Sequence, residues 1–305
     1  MKIIVTGGAG FIASHIADAY VKAGHRVAII DNLATGFKKN VNPKAKFYRA
    51  DIRDHAVMEK IFKKEKPEIV NHHAAIADIA KALRDPRPTL EVNLLGTTNV
   101  LLAFGQHGRD RNKKFIFASS GAVYGTPKRI PVTEKTPTQP ESAYGLSKLL
   151  GEEIIEFYSR QFGLDYCLFR YPNVYGPRQN PKGEAGVTAI FGGLMKNGQR
   201  PTIYGDGSKT RDYVYIEDVV KANSSALNRG EKEIINLGSA RPTSDRAIFD
   251  TIAAEIGFSE EPIYAPHRKG EAYKIALSAR RAKKIFGWKP TIGVKEGIHR
   301  VLRAL

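Results

Sequence analysis

The sequence predicts an α/β fold: a doubly wound parallel sheet followed by a smaller C-terminal α/β lobe. Three observations carry that reading. Short, continuously apolar runs recur along the first half, without the alternation of a half-exposed strand. Each run is followed by a segment of helical periodicity, the order that parallel strands with crossover helices require. The length of 305 residues, 42% hydrophobic and 26% charged, suits a globular chain with a sizeable core.

The first run, residues 2–5, is rich in β-branched residues and leads into Thr6-Gly7-Gly8. A helical pattern then occupies 11–23, until Gly24-His25 stops it. The second run, 27–30, ends on Asp31, and a third around Phe47-Tyr48 precedes Asp51. Next come a helix over 55–64, a strand over 68–71, a long helix over 89–105 and a strand over 115–118. A loop rich in Pro and Thr spans 125–142; a helix over 143–162 then leads to a sixth strand over 166–170. The doubly wound domain is expected to fill residues 1–172. Residues 173–305 are punctuated by Pro177, Pro181, Gly192-Gly193, Gly205 and Gly207. Helices are expected there near 188–197, 217–228, 244–256 and 293–303, with strands at 201–204, 213–216 and 233–237. This second lobe has irregular loops able to close over a ligand held by the first, and the boundary leaves room for the chain to cross back.

Lys and Arg number 48 against 31 Asp and Glu, a net charge of +17 that draws anions in general. The basic residues are scattered in pieces such as Lys38-Lys39 and Lys63-Lys64. With no basic arm, Cys/His finger or aromatic-basic repeat, nucleic acid is not the expected partner. The single cysteine, Cys167, excludes an intrachain disulfide and a cysteine zinc site, and suits a reducing cytoplasm. No apolar run approaches the ~20 residues of a membrane span, and no cleavage-type region follows the first apolar run. His72-His73 lacks a suitably spaced third ligand, so no metal site is expected.

Strand, Gly7-Gly8-Ala9-Gly10-Phe11-Ile12-Ala13, helix is a phosphate-binding turn in the context that gives it meaning. Gly7 permits the tight turn, and Gly10 lets a pyrophosphate approach the helix N-terminus, where free N–H groups favour negative charge. Asp31 ends the second strand, placed to accept hydrogen bonds from the adenosine ribose and to repel a 2′-phosphate. NAD is therefore expected over NADP, on a Rossmann-type sheet, with Asp51 and Ile52 along the adenine edge. At the other end, Tyr144 and Lys148 stand four apart near the start of a helix, one turn apart on one face. A neighbouring ammonium favours a phenolate, which can take a proton from a hydroxyl while its carbon gives hydride to a nicotinamide. Ser120, just past the fifth strand, can hydrogen-bond the same oxygen.

These residues resemble the nucleotide-sugar epimerases of the extended short-chain dehydrogenase/reductase family. The resemblance covers nearly the whole chain, through Asp31-Asn32-Leu33, His73-Ala74-Ala75, Ser119-Ser120, Tyr144 with Lys148, Arg211-Asp212-Tyr213, Arg268 with Gly270-Glu271, and Gly287-Trp288. It implies NAD-dependent interconversion of UDP-galactose and UDP-glucose through a transient 4-keto sugar, without net redox change. Tyr144 would be the base, with Lys148 lowering its pKa and holding the nicotinamide ribose, and Ser120 on the 4-oxygen. The resemblance adds Phe11, Ile12, Asn32, His73, Ala74, Ala75, Asn93, Ser119, Tyr171 and Pro172 to the cofactor contacts. It assigns Ser120, Tyr144, Asn173, Val187, Thr202, Ile203, Tyr204, Arg211, Arg268 and Glu271 to the UDP-hexose. It also implies a homodimer through the helices at 89–105 and 143–162, although packing within one chain explains the same apolar pattern. Of the rival readings, a dehydratase is set aside for want of a general acid, and the UDP-glucuronate enzymes and a non-catalytic protein remain as alternatives. A dehydratase carries an acidic pair where this chain has Gly121-Ala122. Enzymes that epimerise or decarboxylate UDP-glucuronate keep the same Tyr/Lys pair. A non-catalytic NAD-binding protein commonly loses one member of it.

Overall fold

The computed structural model describes residues 1–109, 113–180, 186–268 and 272–305. Its centre is a seven-stranded parallel sheet of β1 (Lys2–Thr6), β2 (Arg26–Asp31), β3 (Lys46–Arg49), β4 (Ile69–His72), β5 (Lys114–Ser120), β6 (Asp165–Tyr171) and, from far along the chain, β10 (Glu233–Asn236). The spatial order is β3-β2-β1-β4-β5-β6-β10, so the winding reverses between β1 and β4. Strands buried on both faces explain the continuous apolar runs. In β1, Ile3 and Val5 enter one core while Ile4 enters the other.

Helices α1 (Phe11–Lys22), α2 (His55–Glu65), α3 (Ile79–Arg84), α4 (Arg87–Leu90), α5 (Thr97–His107) and α6 (Ala143–Phe162) belong to the first half. The expected long helix over 89–105 is α4 and α5 joined by a π-helical turn, Glu91–Gly96. Such turns are frequent at functional sites, and this one carries the buried Asn93. α6 occupies the expected span: Ser142 caps it by accepting from Gly145 N–H (3.1 Å), and Gly163 ends it in the left-handed region.

The second half supplies β7 (Asn173–Tyr175), β8 (Thr202–Tyr204), β9 (Thr210–Tyr215), β11 (Pro242–Ser244) and β12 (Ile263–Ala265). They form a three-stranded sheet, β11-β9-β7, and a two-stranded one, β12-β8. Around them lie α7 (Val187–Lys196), α8 (Ile216–Ser225), α9 (Asp245–Ile256), α10 (Arg280–Phe286) and α11 (Val294–Ala304).

One expected strand joins the other sheet. The strand expected at 233–237 in the smaller lobe is β10, which extends the large sheet by pairing with Cys167, Leu168, Phe169 and Arg170 of β6. α8 comes with it and packs on α1. The cause is an edge: β6 would otherwise present unpaired backbone and apolar surface. Burying Ile235 completely adds about 1.5–3 kcal/mol.

Candidate functional site

A cavity of about 1140 Å³ opens at the carboxyl ends of β1, β4, β5 and β6, where the winding reverses and α/β sheets bind ligands. Its first wall is the turn after β1. Gly7 has φ 69°, and a Cβ there would lie 2.7 Å from the Ala74 nitrogen, so only glycine fits. Gly10 caps α1 without a side-chain hydrogen bond, and the first turn holds no acid. The leading N–H groups of α1, beside cavity-lining Gly10, Phe11 and Ile12, are therefore left for an anion. Asp31 is aimed from both sides: its carboxylate accepts from Ala9 N–H (3.0 Å) and Leu33 N–H (2.7 Å).

The loop after β4 is held by a directional chain of hydrogen bonds. Thr6 Oγ1 accepts from the N–H groups of His73 and Ala74, both at 3.2 Å, so its own proton goes to His72 Nδ1 (2.6 Å). His72 Nε2 then donates to Thr97 Oγ1 (2.8 Å), which donates to the Asn93 carbonyl (2.7 Å). Burial keeps both histidines neutral, pushing His73 down to about 3 and His72 well below its usual range, with Lys148 adding to each effect. Asn93 does not reach the cavity. Its amide accepts from Ile76 N–H (2.8 Å) and donates to Ile76 O (3.0 Å) and Ser147 Oγ (2.9 Å), propping the loop and α6 from behind.

Tyr144 and Lys148 line the cavity from the first turns of α6, facing Ser119 and Ser120 at the end of β5. Ser120 Oγ accepts from Ala122 N–H (3.1 Å) and stands beside Tyr144 as the group that favours its ionised form. Lys148 Nζ lies 4.9 Å from the Phe117 ring centre and 5.9 Å from that of Tyr144. The electrostatics amend the expected picture. Burial raises the Tyr144 pKa, and the Ser120 hydroxyl opposes that rise. Burial also draws Lys148 down to about 7, with the Glu152 carboxylate pulling it back up. A low-dielectric site penalises phenolate and ammonium alike unless each has a partner.

At the far end, Arg211 and Arg268 line the cavity with Lys209, which pairs with Asp245 at 3.4 Å. The Arg268 guanidinium stacks over the Tyr204 ring at 3.6 Å. Strand alternation turns the residue after Arg211 the other way. The buried Asp212 accepts from the N–H groups of Ser239 (2.9 Å), Ala240 (3.2 Å) and Leu277 (2.9 Å), fixing the wall that Leu277 contributes.

Comparison with known proteins places this site in a family. Residues 3–238 match the NAD dependent epimerase/dehydratase family. The chain belongs to that family. A Methanocaldococcus jannaschii protein is 50% identical over 301 residues, covering 98% of this chain and 97% of its own. The structure of a UDP-glucose 4-epimerase from Thermotoga maritima, solved with UDP-glucose, is 41% identical and superposes with a TM-score of 0.96 over 100% of this chain and 98% of that one. The Thermus thermophilus UDP-glucose 4-epimerase, solved with NAD, is 39% identical, with a TM-score of 0.94 over the same shares.

Within the family frame, one cavity wall gathers nearly every residue singled out in the sequence. Gly7, Gly10, Phe11, Ile12, Asp31, Asn32, Asp51, Ile52, His73, Ala74, Ala75, Ser119, Tyr171 and Pro172 line it around the nucleotide turn. Ser120, Tyr144 and Lys148 stand mid-way, and Asn173, Val187, Thr202, Ile203, Tyr204, Arg211 and Arg268 line the far end. Glu271 lies outside the described residues. Sequence reading missed Arg53, Gln179, Lys209 and Asp245, which line the same cavity. Arg53 is held by Asp51 through two hydrogen bonds, 3.0 and 2.9 Å, and Asn32 also donates to Asp51 (3.0 Å). A signal existed for Lys209: it stands two before Arg211 and immediately precedes a strand, where extended backbone puts alternate residues on the same face.

Proposed function

We propose that the protein is an NAD-dependent epimerase interconverting UDP-galactose and UDP-glucose through a transient 4-keto sugar. The observation that carries this reading is the convergence on one cavity of the glycine turn, the Ser120/Tyr144/Lys148 group and the cationic end with Arg211 and Arg268. The uncapped N-terminus of α1, the crowded glycine at position 7 and the aimed Asp31 carboxylate fit a dinucleotide. NAD supplies the site with a reversible hydride acceptor.

Tyr144 takes the proton of the sugar 4-hydroxyl and later returns it, while Ser120 holds the same oxygen. Lys148, as an ammonium, offsets the negative charge on Tyr144 when the phenol is ionised. Arg211 and Arg268 supply planar, permanent cations for the diphosphate, leaving the hexose free to turn between two presentations of its C4. The single cysteine, Cys167, accords with a cytoplasmic enzyme; among the described residues no helix is long and apolar enough to cross a membrane. Leu95 on the π-helical turn before α5 and Leu146, Leu150 and Phe157 on α6 are exposed, and they support a homodimer through these helices. Light scattering at twice the chain mass is expected.

The test is incubation of the purified protein with UDP-galactose, with and without added NAD, following UDP-glucose. Product without net NADH accumulation is the expected result. Absence of product from protein shown to hold NAD would overturn the substrate assignment.

A further inference from the structure

One turn beyond Lys148, the same stripe of α6 carries another charge. Glu152 stands four residues after Lys148, as Lys148 does after Tyr144, so three functional groups share one face. It is only 2% exposed and meets Arg170 of β6, itself 4% exposed. Arg170 donates to both carboxylate oxygens, from Nε at 2.9 Å and from its terminal nitrogen at 2.6 Å. The Ser119 hydroxyl donates to the same carboxylate, and the remaining Arg170 nitrogen donates to the Tyr124 hydroxyl (2.8 Å).

This arrangement is weak as a stability device, because desolvating a buried ion pair cancels much of its attraction. Its position suggests other work. Ser119 is the cavity-lining neighbour of Ser120, so the carboxylate anchors the strand end that presents the serine to Tyr144. The groups that the structure sets against Lys148 are Tyr144 and Glu152 on α6, the Phe117 ring on β5, and His72 and His73 at the end of β4. Glu152 is the one carboxylate among them.

We propose that Glu152 is a positioning residue for the reaction: it keeps Lys148 an ammonium beneath Tyr144 and fixes the end of β5 that carries Ser120. The role in turnover rests on the epimerase reading, whereas the coupling to Lys148 can be read without it. Its direction follows from sign. Removing a carboxylate near an ammonium destabilises the charged form, so the Lys148 pKa falls below its already lowered value of about 7.

The experiment is an NMR titration of protein labelled with ¹³C at the lysine Cε positions, with the Lys148 signal assigned by its loss in Lys148→Met. Glu152→Gln is expected to lower the Lys148 midpoint by about one unit. The alkaline limb of kcat should move down with it, while KM for the UDP-sugar stays within about threefold. Ser119→Ala keeps the charge and should leave the midpoint in place. If the unpaired Arg170 prevents Glu152→Gln from folding, the double variant with Arg170→Met is compared with Arg170→Met alone, so that the carboxylate is the one charge that differs, and the lower midpoint is expected in the double variant. An unmoved Lys148 midpoint in the folded variant overturns the proposal, whatever happens to activity. A lowered midpoint in a protein that never epimerises sustains the coupling and sinks the epimerase reading instead.

Discussion

At the nucleotide-turn end the cavity is walled largely by backbone, with Gly7 and Gly10, the leading N–H groups of α1 and the propped loop after β4. At the opposite end it is walled by long side chains from separated segments: Asn173, Lys209 with Arg211, and Arg268. The first wall is defined by shape and tolerates no added volume. The second is defined by charge and tolerates rearrangement, since each cation can be lost while the others remain. The two ends should therefore fail differently when altered.

Tyr144→Phe, between the two ends, should have the largest effect: a loss in kcat of about 10²–10⁴-fold with NAD still bound after purification. Near-normal turnover would remove tyrosine from the role of base. Gly7→Val attacks the shape-defined end, placing a branched side chain where a Cβ already lies 2.7 Å from the Ala74 nitrogen at φ 69°. Protein purified without bound NAD is expected, and retention of NAD would show that the turn yields more than its geometry suggests. Arg268→Met attacks the charge-defined end. KM for the UDP-sugar should rise about tenfold, the worth of one charged hydrogen bond, with kcat changed far less. An unchanged KM would exclude Arg268 from the diphosphate. Asp31→Ala sharpens the comparison by changing charge at the shape-defined end. NAD binding should weaken by about tenfold or less and NADP should become usable, with Arg53 on the same wall, as competitive binding of the two cofactors would show.

The contrast also explains what was legible in the sequence. Backbone-built features are local: a glycine turn, its strand and its helix are adjacent along the chain, so residues 2–31 could be read directly. The Tyr144/Lys148 pair is local for the same reason. Gln179 and Asp245 were not legible because only the topology of the smaller sheets brings the segment after β7 and the start of α9 to one cavity. β10 was misplaced because its short apolar pattern says nothing about which sheet it joins. Glu152 escaped notice because an acid on a helix is usually solvated, and its burial follows from Arg170 on a strand that the helix covers. The Tyr144 pKa was read from its neighbour alone, whereas burial acts first.

The placement of β10 also bears on how the chain is made. A nascent polypeptide that has reached residue 172 holds six of the seven large-sheet strands, and its β6 edge has no neighbour on the outer side. Asn71 donates to the Asn223 side chain (3.0 Å) and Tyr20 to its carbonyl (3.1 Å), so the first half also lacks polar partners still to be synthesised. Closure of the sheet waits until residue 236 is available. Until then the growing chain carries an exposed, apolar strand edge suited to mispairing. For the ribosome and for chaperones the enzyme is a single indivisible load, and a recombinant fragment ending at residue 172 would meet the same hazard permanently.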